Sequence, residues 1–375
     1  KEYKYGFTTD IDSDKDPDLI LAMEWGPVTI FENSNGVFSN TTEEFGLSDH
    51  LGWWNGVATG DFNEDGQIDI VATNWGLNTK YHASKEHPLE LYYDDFDGNG
   101  SIDIVEGHWD EGMGALVPER GFSCLSNGIK YLSKTIPTFA EFGGSDLREI
   151  IGPGLEGASR VRATVLEHML FLNNGKGFES HALPIEAQFS PAFSAVVADM
   201  DNDGHDDIFL SQNFFAYQVE TSRSDAGRGL WLSGDGAGNL RTVPGHKSGV
   251  LIHGEQRGTA VADINDDGRI DLLVSQNGAN LALFKNQGRK KGIKIFLKGG
   301  SESPSFIGSK LQIKYEDRMG PIREIQLGSG YWSQNSWNQI IGLGEDAVSL
   351  IIEFPDGEIM EKQLADGETK VILSH

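Results

Sequence analysis

Apolar residues fall in short runs along this chain, and most of those runs stand beside a cluster of aspartates. LILAM (19–23), IVAT (70–73), IVEG (104–107), IFLS (208–211) and LLVS (272–275) have the length and composition of strands bounded by turns. Each directly follows one of five related segments: DIDSDKDPD from Asp10 to Asp18, DFNEDGQID from Asp61 to Asp69, DFDGNGSID from Asp95 to Asp103, DMDNDGHDD from Asp199 to Asp207, and DINDDGRID from Asp263 to Asp271. Strand-like stretches precede three of them: GVAT before Asp61, AVVA before Asp199 and AVA before Asp263. The repeating unit is therefore strand, Asp-rich loop, strand.

A second repeated element follows several units. IFENSNGVF (30–38), LFLNNGKGF (170–178) and LWLSGDGAGNL (230–240) each place an Asn/Gly/Asp turn between two short apolar runs, which predicts a hairpin. Two strands around a loop plus two in a hairpin make a four-stranded sheet of roughly 50 residues, the size of a propeller blade. The interval from Asp95 to Asp199 is about twice that from Asp10 to Asp61. Within it the apolar spacing turns helical (Ile129, Leu132, Ile136, Phe139, Phe142, Leu147, Ile150, Ile151), so an inserted helical segment is expected at about 126–155. NQGRKKG (286–292) reads as a linker, and beyond it IKIFL, KLQIKY, EIQL and SLIIEF alternate as strands with no Asp loop.

The loops carry the candidate chemistry. Calcium takes six to eight oxygens at about 2.3–2.6 Å, and a loop offering side-chain oxygens at positions one, three, five and nine and a carbonyl at seven can wrap it. The candidate ligands are Asp10, Asp12, Asp14 and Asp18; Asp61, Asn63, Asp65 and Asp69; Asp95, Asp97, Asn99 and Asp103; Asp199, Asp201, Asp203 and Asp207; Asp263, Asn265, Asp267 and Asp271. Gln67, Ser101, His205 and Arg269 would contribute backbone carbonyls, with the His205 ring facing solvent. Glycine fills position six in four loops, where a sharp turn calls for positive φ. Lys15 takes that place in the first loop and brings a positive charge, so a weak or empty site is expected there. Four or five structural calcium ions are expected in all. Bare Asn/Asp/Gly turns are the alternative, disfavoured because clustered carboxylates repel one another. The loops are not EF-hands: position twelve is Leu21, Ala72, Glu106, Leu210 and Val274, and only Glu106 fits the requirement.

These loops resemble FG-GAP/VCBS repeats, the calcium-loop blades also found in integrin α-chain propellers. GSGYWSQNSWNQIIGLGE (328–345) and EFPDGE (353–358) look like an ASPIC/UnbV domain, although its opening stretch GGSESPSFIGSKLQI (299–313) lacks the Asn-Arg run associated with that domain. Together the two parts resemble the cartilage-acidic-protein-like family. The resemblance implies an all-β fold: a β-propeller, of seven blades with some degenerate, carrying the helical insertion, and a small C-terminal β-sandwich-like domain. Residues 1–288 would be the propeller and 289–375 the ASPIC/UnbV-like domain, with degenerate blades expected within 104–198. The resemblance also implies calcium at the matched loops and an extracellular, periplasmic or cell-surface setting.

Composition narrows the partners. The formal net charge is -27, which repels phosphate backbones and excludes nucleic acid as a natural partner. Cys124 is the single cysteine, so neither an intrachain disulfide nor a thiolate metal site can form. No apolar run reaches the length of a membrane span, and Lys1 at the start suggests a mature or trimmed product.

On the blade face opposite the loops, the strand exits form a series: Glu24-Trp25, Asn74-Trp75, His108-Trp109, Asn213-Phe214 and Asn277. Aromatic faces beside amides suit sugar rings, so Trp25, Asn74, Trp75, His108, Trp109, Asn213, Phe214 and Asn277 are a candidate surface for glycan or an extracellular protein. Packing between blades is the competing role. Tyr331, Trp332 and Trp337 form another aromatic group, with core or interdomain packing expected. Catalytic motifs are missing: GPGLEG (152–157) matches GxGxxG only formally and reads as a turn, and no P-loop, GxSxG or HExxH is present. A binding or adhesion module is the expectation. A propeller enzyme acting on polysaccharide or in specialised metabolism, drawing on His108, Glu186, Arg228, His253 or Arg257, is the alternative.

Overall fold

In the computed structural model, which describes residues 2–218, 221–298 and 306–374, the Asp loops connect neighbouring antiparallel strands. The first blade runs up and down through Glu2–Thr9, Asp18–Gly26, Thr29–Ser34 and Val37–Asn40, and Gly52–Trp53 pairs with its second strand. The third blade repeats the pattern with Ala192–Ala198, Asp207–Gln212, Leu230–Gly234 and Leu240–Val243. The fourth keeps three strands, Glu255–Ala262, Asp271–Asn277 and Ala282–Phe284.

The second blade is split. Its inner strand Gly56–Gly60 pairs with Asp69–Thr73, which pairs in turn with Met169–Asn173, continuing into Phe178–Ala182. Between the two halves sits a complete extra sheet in the order Ala115–Pro118, Asp103–Asp110, Leu89–Asp94, Ser159–Ala163. The region expected to hold degenerate blades is therefore an insertion inside one blade. Where seven blades are expected, residues 2–284 form five sheets, because the long interval is spent on this sheet and its helices.

Helical spacing gives five short helices, Phe122–Gly128, Leu132–Thr135, Phe139–Gly143, Leu147–Ile151 and Gly154–Gly157. GPGLEG thus ends in a helical turn. Thr138 caps the third helix by accepting from Glu141 N, and Asp146 with Glu149 forms a capping box on the fourth. Leu125, Ile129, Leu132, Ile150 and Ile151 pack on Tyr92 and Val105 of the inserted sheet. The five-helix cap hides one sheet face only, and Ile102 and Ile104 stay exposed beside it.

Blade strands are buried on both faces, which explains their unbroken apolar runs. Along Asp69–Thr73, Ile70 and Ala72 join the core shared with the first blade, while Val71 joins the core shared with the third. Phe209 likewise faces the fourth blade, while Ile208 and Leu210 face the second. The inner strands Glu2–Thr9, Gly56–Gly60, Ala192–Ala198 and Glu255–Ala262 consequently stand side by side in that order.

The C-terminal part forms two sheets around one core of Ile293, Ile295, Leu311, Ile313, Leu350, Ile352 and Val371. One sheet is ordered Gln339–Ile341, Ile293–Lys298, Lys370–Ser374, and the other Arg323–Glu324, Lys310–Tyr315, Ala347–Glu353, Ile359–Gln363. Much of the opening stretch noted for its missing Asn-Arg run, residues 299–305, lies outside the described residues. The segment 322–342 leaves this domain and crosses all four inner strands. Tyr5 Oη donates to Gly328 O at 2.9 Å, Gln326 Nε2 to Thr59 Oγ1 at 2.6 Å, Tyr331 N to Ser194 Oγ at 3.3 Å and Ser336 N to Val261 O at 2.9 Å. Tyr331 packs between Tyr5 and Phe193, whereas Trp332 and Trp337 are exposed rather than core.

Candidate metal loops and an aromatic cleft

Four of the five Asp loops share one hydrogen-bond plan at position one. The position-one carboxylates of Asp61, Asp95, Asp199 and Asp263 accept the position-five amide on Oδ1 and the position-six amide on Oδ2. Position five in turn accepts the amide of position seven, as Asp65 does from Gln67 at 2.9 Å. Two residues per loop are left-handed. Gly66, Gly100, Gly204 and Gly268 are so at position six, and Ser13, Glu64, Gly98, Asn202 and Asp266 at position four. Lys15 adopts φ of 81° at position six of the first loop, a strained backbone for a residue with a Cβ.

Position nine does a job the spacing did not reveal. Oδ2 of Asp18, Asp69, Asp103, Asp207 and Asp271 accepts the amide of position two in its own loop. In four of them Oδ1 accepts an amide of the following hairpin: Asn33 N to Asp18, Asn173 N to Asp69, Gly234 N to Asp207 and Asn286 N to Asp271, at 2.8–2.9 Å. These aspartates brace loop to hairpin, which is why the two sequence elements recur together.

The carboxylates lie close enough to share a cation. Oxygens of Asp10, Asp12 and Asp18, of Asp95, Asp97 and Asp103, and of Asp199, Asp201 and Asp203 fall within 4.8 Å of one another. Asp10 Oδ1 and Asp201 Oδ1 are buried with no hydrogen-bond partner. Burial pushes Asp18 and Asp61 up to about 7, Asp69 and Asp207 to about 8, and Asp199 to about 6. Grouped, desolvated carboxylates with open lone pairs are the donor set of a hard divalent cation, so the residues fit calcium.

Two side chains behave differently from their expected roles. The His205 ring does not face solvent: its Nδ1 pairs with Glu64, which also takes Arg318 at 2.7 Å. Lys15 turns away from its loop to Glu353 at 3.0 Å, and the ammonium beside Asp10 belongs to Lys310, at 2.8 Å. The C-terminal domain reaches the other loops too. Ile322 N donates to Asp61 at 3.0 Å, Gly342 N to Asp199 at 2.7 Å, and Arg323 pairs with Asp206 at 2.8 Å.

At the opposite ends of the strands, aromatic rings from three blades meet. Trp53 packs edge-on against Trp25 at 5.0 Å, Trp75 at 5.7 Å and Tyr81 at 4.9 Å; Trp75 continues to Phe214 at 5.2 Å and Tyr217 at 5.9 Å. They line a cleft of about 230 Å³ with Glu24, Glu106 and Arg120 on its walls. Trp53 is buried, yet its indole N–H has no partner. A second cleft of about 530 Å³ adjoins at Arg120, Tyr217, Gln218 and Thr221 and adds Lys80, Glu119 and Arg223.

The predicted face residues divide into groups. Trp25, Trp75 and Phe214 converge on the cleft. Asn74 and Asn213 are buried braces: Asn74 Oδ1 accepts Trp53 N and Trp75 N, and Asn213 Nδ2 donates to Gly227 O and Gly254 O. Trp109 stacks on His87 in the inserted sheet at 4.4 Å, and Asn277 reaches Glu255. His108 pairs with Glu119 at 2.9 Å, and Lys80 bonds the same carboxylate at 2.6 Å. Burial alone would raise Glu119, but His108 and Lys80 hold it below the usual carboxylate range. Burial, with Glu106 and Glu119 nearby, pushes Tyr81 up to about 12. Of the other residues considered for catalysis, Glu186 bonds to Thr242 and Arg257 to Glu255. Trp53, Tyr81, Tyr217 and Arg120 lie outside the repeat, so nothing in its period points to them. The adjacent tryptophans of LGWWNG (51–56) are the one available hint.

Among known proteins, the FG-GAP-like repeat family matches residues 10–72, and the ASPIC and UnbV family matches residues 299–375. Cartilage acidic protein 1 of Xenopus tropicalis is 24% identical over 364 residues, covering 95% of this chain and 42% of that protein. The Homo sapiens protein of the same name is 23% identical, with 95% and 41% covered. The chain thus spans about two fifths of the length of these relatives. Overlap with solved structures is slight: a BBS1N chain, solved in complex with ARL6DN, gives a TM-score of 0.26 at 8% identity, covering 98% of this chain and 94% of that one. With an FG-GAP-like repeat near its start, an ASPIC and UnbV region at its end and an alignment along nearly its full length, the chain resembles the cartilage-acidic-protein-like family.

Proposed function

We propose that this chain is an extracytoplasmic, calcium-stabilised binding module of the adhesion type, which takes a glycan or a protein surface in the aromatic cleft. The observation that carries the binding half is the meeting of six aromatic rings from three blades around one opening, with the Trp53 N–H left unpartnered. Rings packed only to fill space would leave no cleft. Calcium is supported by the grouped, buried carboxylates of the loops. The relatives named for cartilage support a place outside the cytoplasm, where calcium is at the level such loops require.

The test is Trp75→Ala, probed on an array of immobilised neutral and acidic oligosaccharides and on immobilised matrix proteins. Binding seen with the native chain should fall about five- to thirtyfold, since a stacked ring is worth about 1–2 kcal/mol, while the melting temperature moves little. Undiminished binding by the variant rejects the cleft.

A second reading is favoured by the ionisable cluster Lys80–Glu119–His108 and Glu106–Arg120 along the continuation of the same cleft. This reading is a propeller enzyme acting on polysaccharide, with those groups moving protons. New reducing ends or unsaturated ends released from a polysaccharide, and lost in His108→Ala, would favour the enzyme over the binder.

A further inference from the structure

Cations from the C-terminal domain pair with the position-one carboxylate in two of the five loops. Lys310 Nζ stands 2.8 Å from Asp10 Oδ2 in the first loop, and Lys294 Nζ stands 3.3 Å from Asp263 Oδ2 in the fifth while also pairing with Asp266. Both contacts are enclosed: the lysine side chains are 11% and 12% exposed, and those of Asp10 and Asp263 are 8% and 1% exposed. In the second and fourth loops the position-one carboxylates receive neutral donors from the same domain, Ile322 N to Asp61 and Gly342 N to Asp199, while Arg318 and Arg323 are paired with Glu64 and Asp206, which hold none of the ligand positions. For the third loop, Asp95 bonds to amides of its own loop.

This difference is chemical. A backbone amide that donates to one lone pair leaves the carboxylate its charge and its remaining lone pairs, so a dication can still bind. A buried ammonium on the same carboxylate neutralises it and repels an incoming dication across a short, poorly solvated distance. The first loop is also the one with Lys15 at position six, but that side chain is drawn off to Glu353, which leaves Lys310 as the cation facing Asp10. In the fifth loop the second carboxylate, Asp267, is likewise engaged by Arg269 at 2.8 Å.

We propose that Lys310 and Lys294 are built-in counter-cations that hold the first and fifth loops in place of calcium. With the C-terminal domain docked, ions then go to the second, third and fourth loops. The inference rests on the calcium reading of the loops and adds a partition among them that the repeat does not encode. It also makes the first and fifth loops an interdomain fastening. By reciprocity, any ion forced into them weakens the hold of the C-terminal domain.

Equilibrium dialysis of the full chain against 0.1–10 mM calcium tests the partition. The native chain should bind three ions, and Lys310→Met and Lys294→Met, which keep the stem and remove the charge, should each add one ion or tighten one site at least tenfold. Lys15→Met should add none. The converse variants guard against misfolding of the lysine variants: Asp10→Asn and Asp263→Asn should leave the native count unchanged, whereas Asp95→Asn should lower it by one. Five ions on the native chain, or a count that falls in Asp263→Asn, overturns the partition while leaving calcium binding intact. No ion on any variant overturns both.

Discussion

His168 is fully buried and fixed at both ring nitrogens. Nδ1 accepts the amide of Asn74 at 2.7 Å, and Nε2 faces Ser190 O at 3.0 Å, so the ring is neutral with its proton on Nε2. Burial lowers it to about 4. The unfolded chain takes up that proton near 6.5 and the folded chain near 4, so the stabilisation is complete above pH 6.5 and is lost as pH falls between those values. Between pH 7 and 4.5 the buried loop carboxylates contribute with the opposite sign, so the His168 share is read as the difference between denaturant melts of the native chain and His168→Gln, which should change by about 1.4 kcal/mol per unit below 6.5. An equal slope in the variant would assign it to other groups. The residue scale is also where the sequence was least explicit. The period of the aspartates marked the loops, but it could not separate a ligand from a brace. Asp69 spends both oxygens on Phe62 N and Asn173 N, and Asn173 lies a whole insertion away in sequence. Asn74 reads as a polar tip beside a tryptophan, yet it is an internal brace because its partners come from a neighbouring turn. Trp25 and Trp75 were legible as cleft residues, since both close the strand that follows an Asp loop and so stand at the same end of adjacent strands.

At the scale of elements, strand and hairpin runs were readable because both faces of each blade strand are buried and the loops punctuate them. The helical run was readable too, and its helices fall at 122–157. What could not be read was the pairing of Asp69–Thr73 with Met169–Asn173, because strand partners distant in sequence leave no local trace. The inserted sheet has its own core of Tyr92, Val105 and the helical cap, distinct from the blade cores. It should open independently. Leu132→Ala deletes a side chain with no exposed surface at the centre of that core, at a cost of about 2–5 kcal/mol. Hydrogen exchange should speed up across residues 89–163 and stay unchanged in Ala192–Ala198 and Asp207–Gln212. Acceleration spread evenly through the blades would mean the insertion is not a separate unit.

For the whole molecule, the charge of -27 and the buried carboxylates make the ion-free state self-repelling. Loops of this kind bind calcium at about 0.1–1 mM, so 1 mM free calcium should contribute about 0.4–1.4 kcal/mol per filled loop. Adding a chelator should lower the melting temperature by several degrees and make what remains rise with sodium chloride. A melting curve indifferent to the chelator would remove the structural role of the ions. The ASPIC/UnbV domain shares this dependence, since its segment 322–342 rests on the inner strands of all four blades and on Asp61 and Asp199. Its place on the loop face was not legible in the sequence, because its side-chain partners, such as Lys310 with Asp10 and Arg323 with Asp206, lie far apart along the chain and its amide donors carry no residue signature.

A blade assembled from two separated stretches also sets an order of events on the ribosome. Asp69–Thr73 emerges with one edge satisfied by Gly56–Gly60 and the other bare until Met169–Asn173 follows. At about 5–20 residues per second that wait lasts on the order of 5–20 s, with Val71, which faces the later third blade, uncovered for the duration. The inserted sheet, whose strands all lie within 89–163, can fold during the pause and bring the two halves together. Nascent chains stalled inside the insertion should then be the ones that chaperones capture.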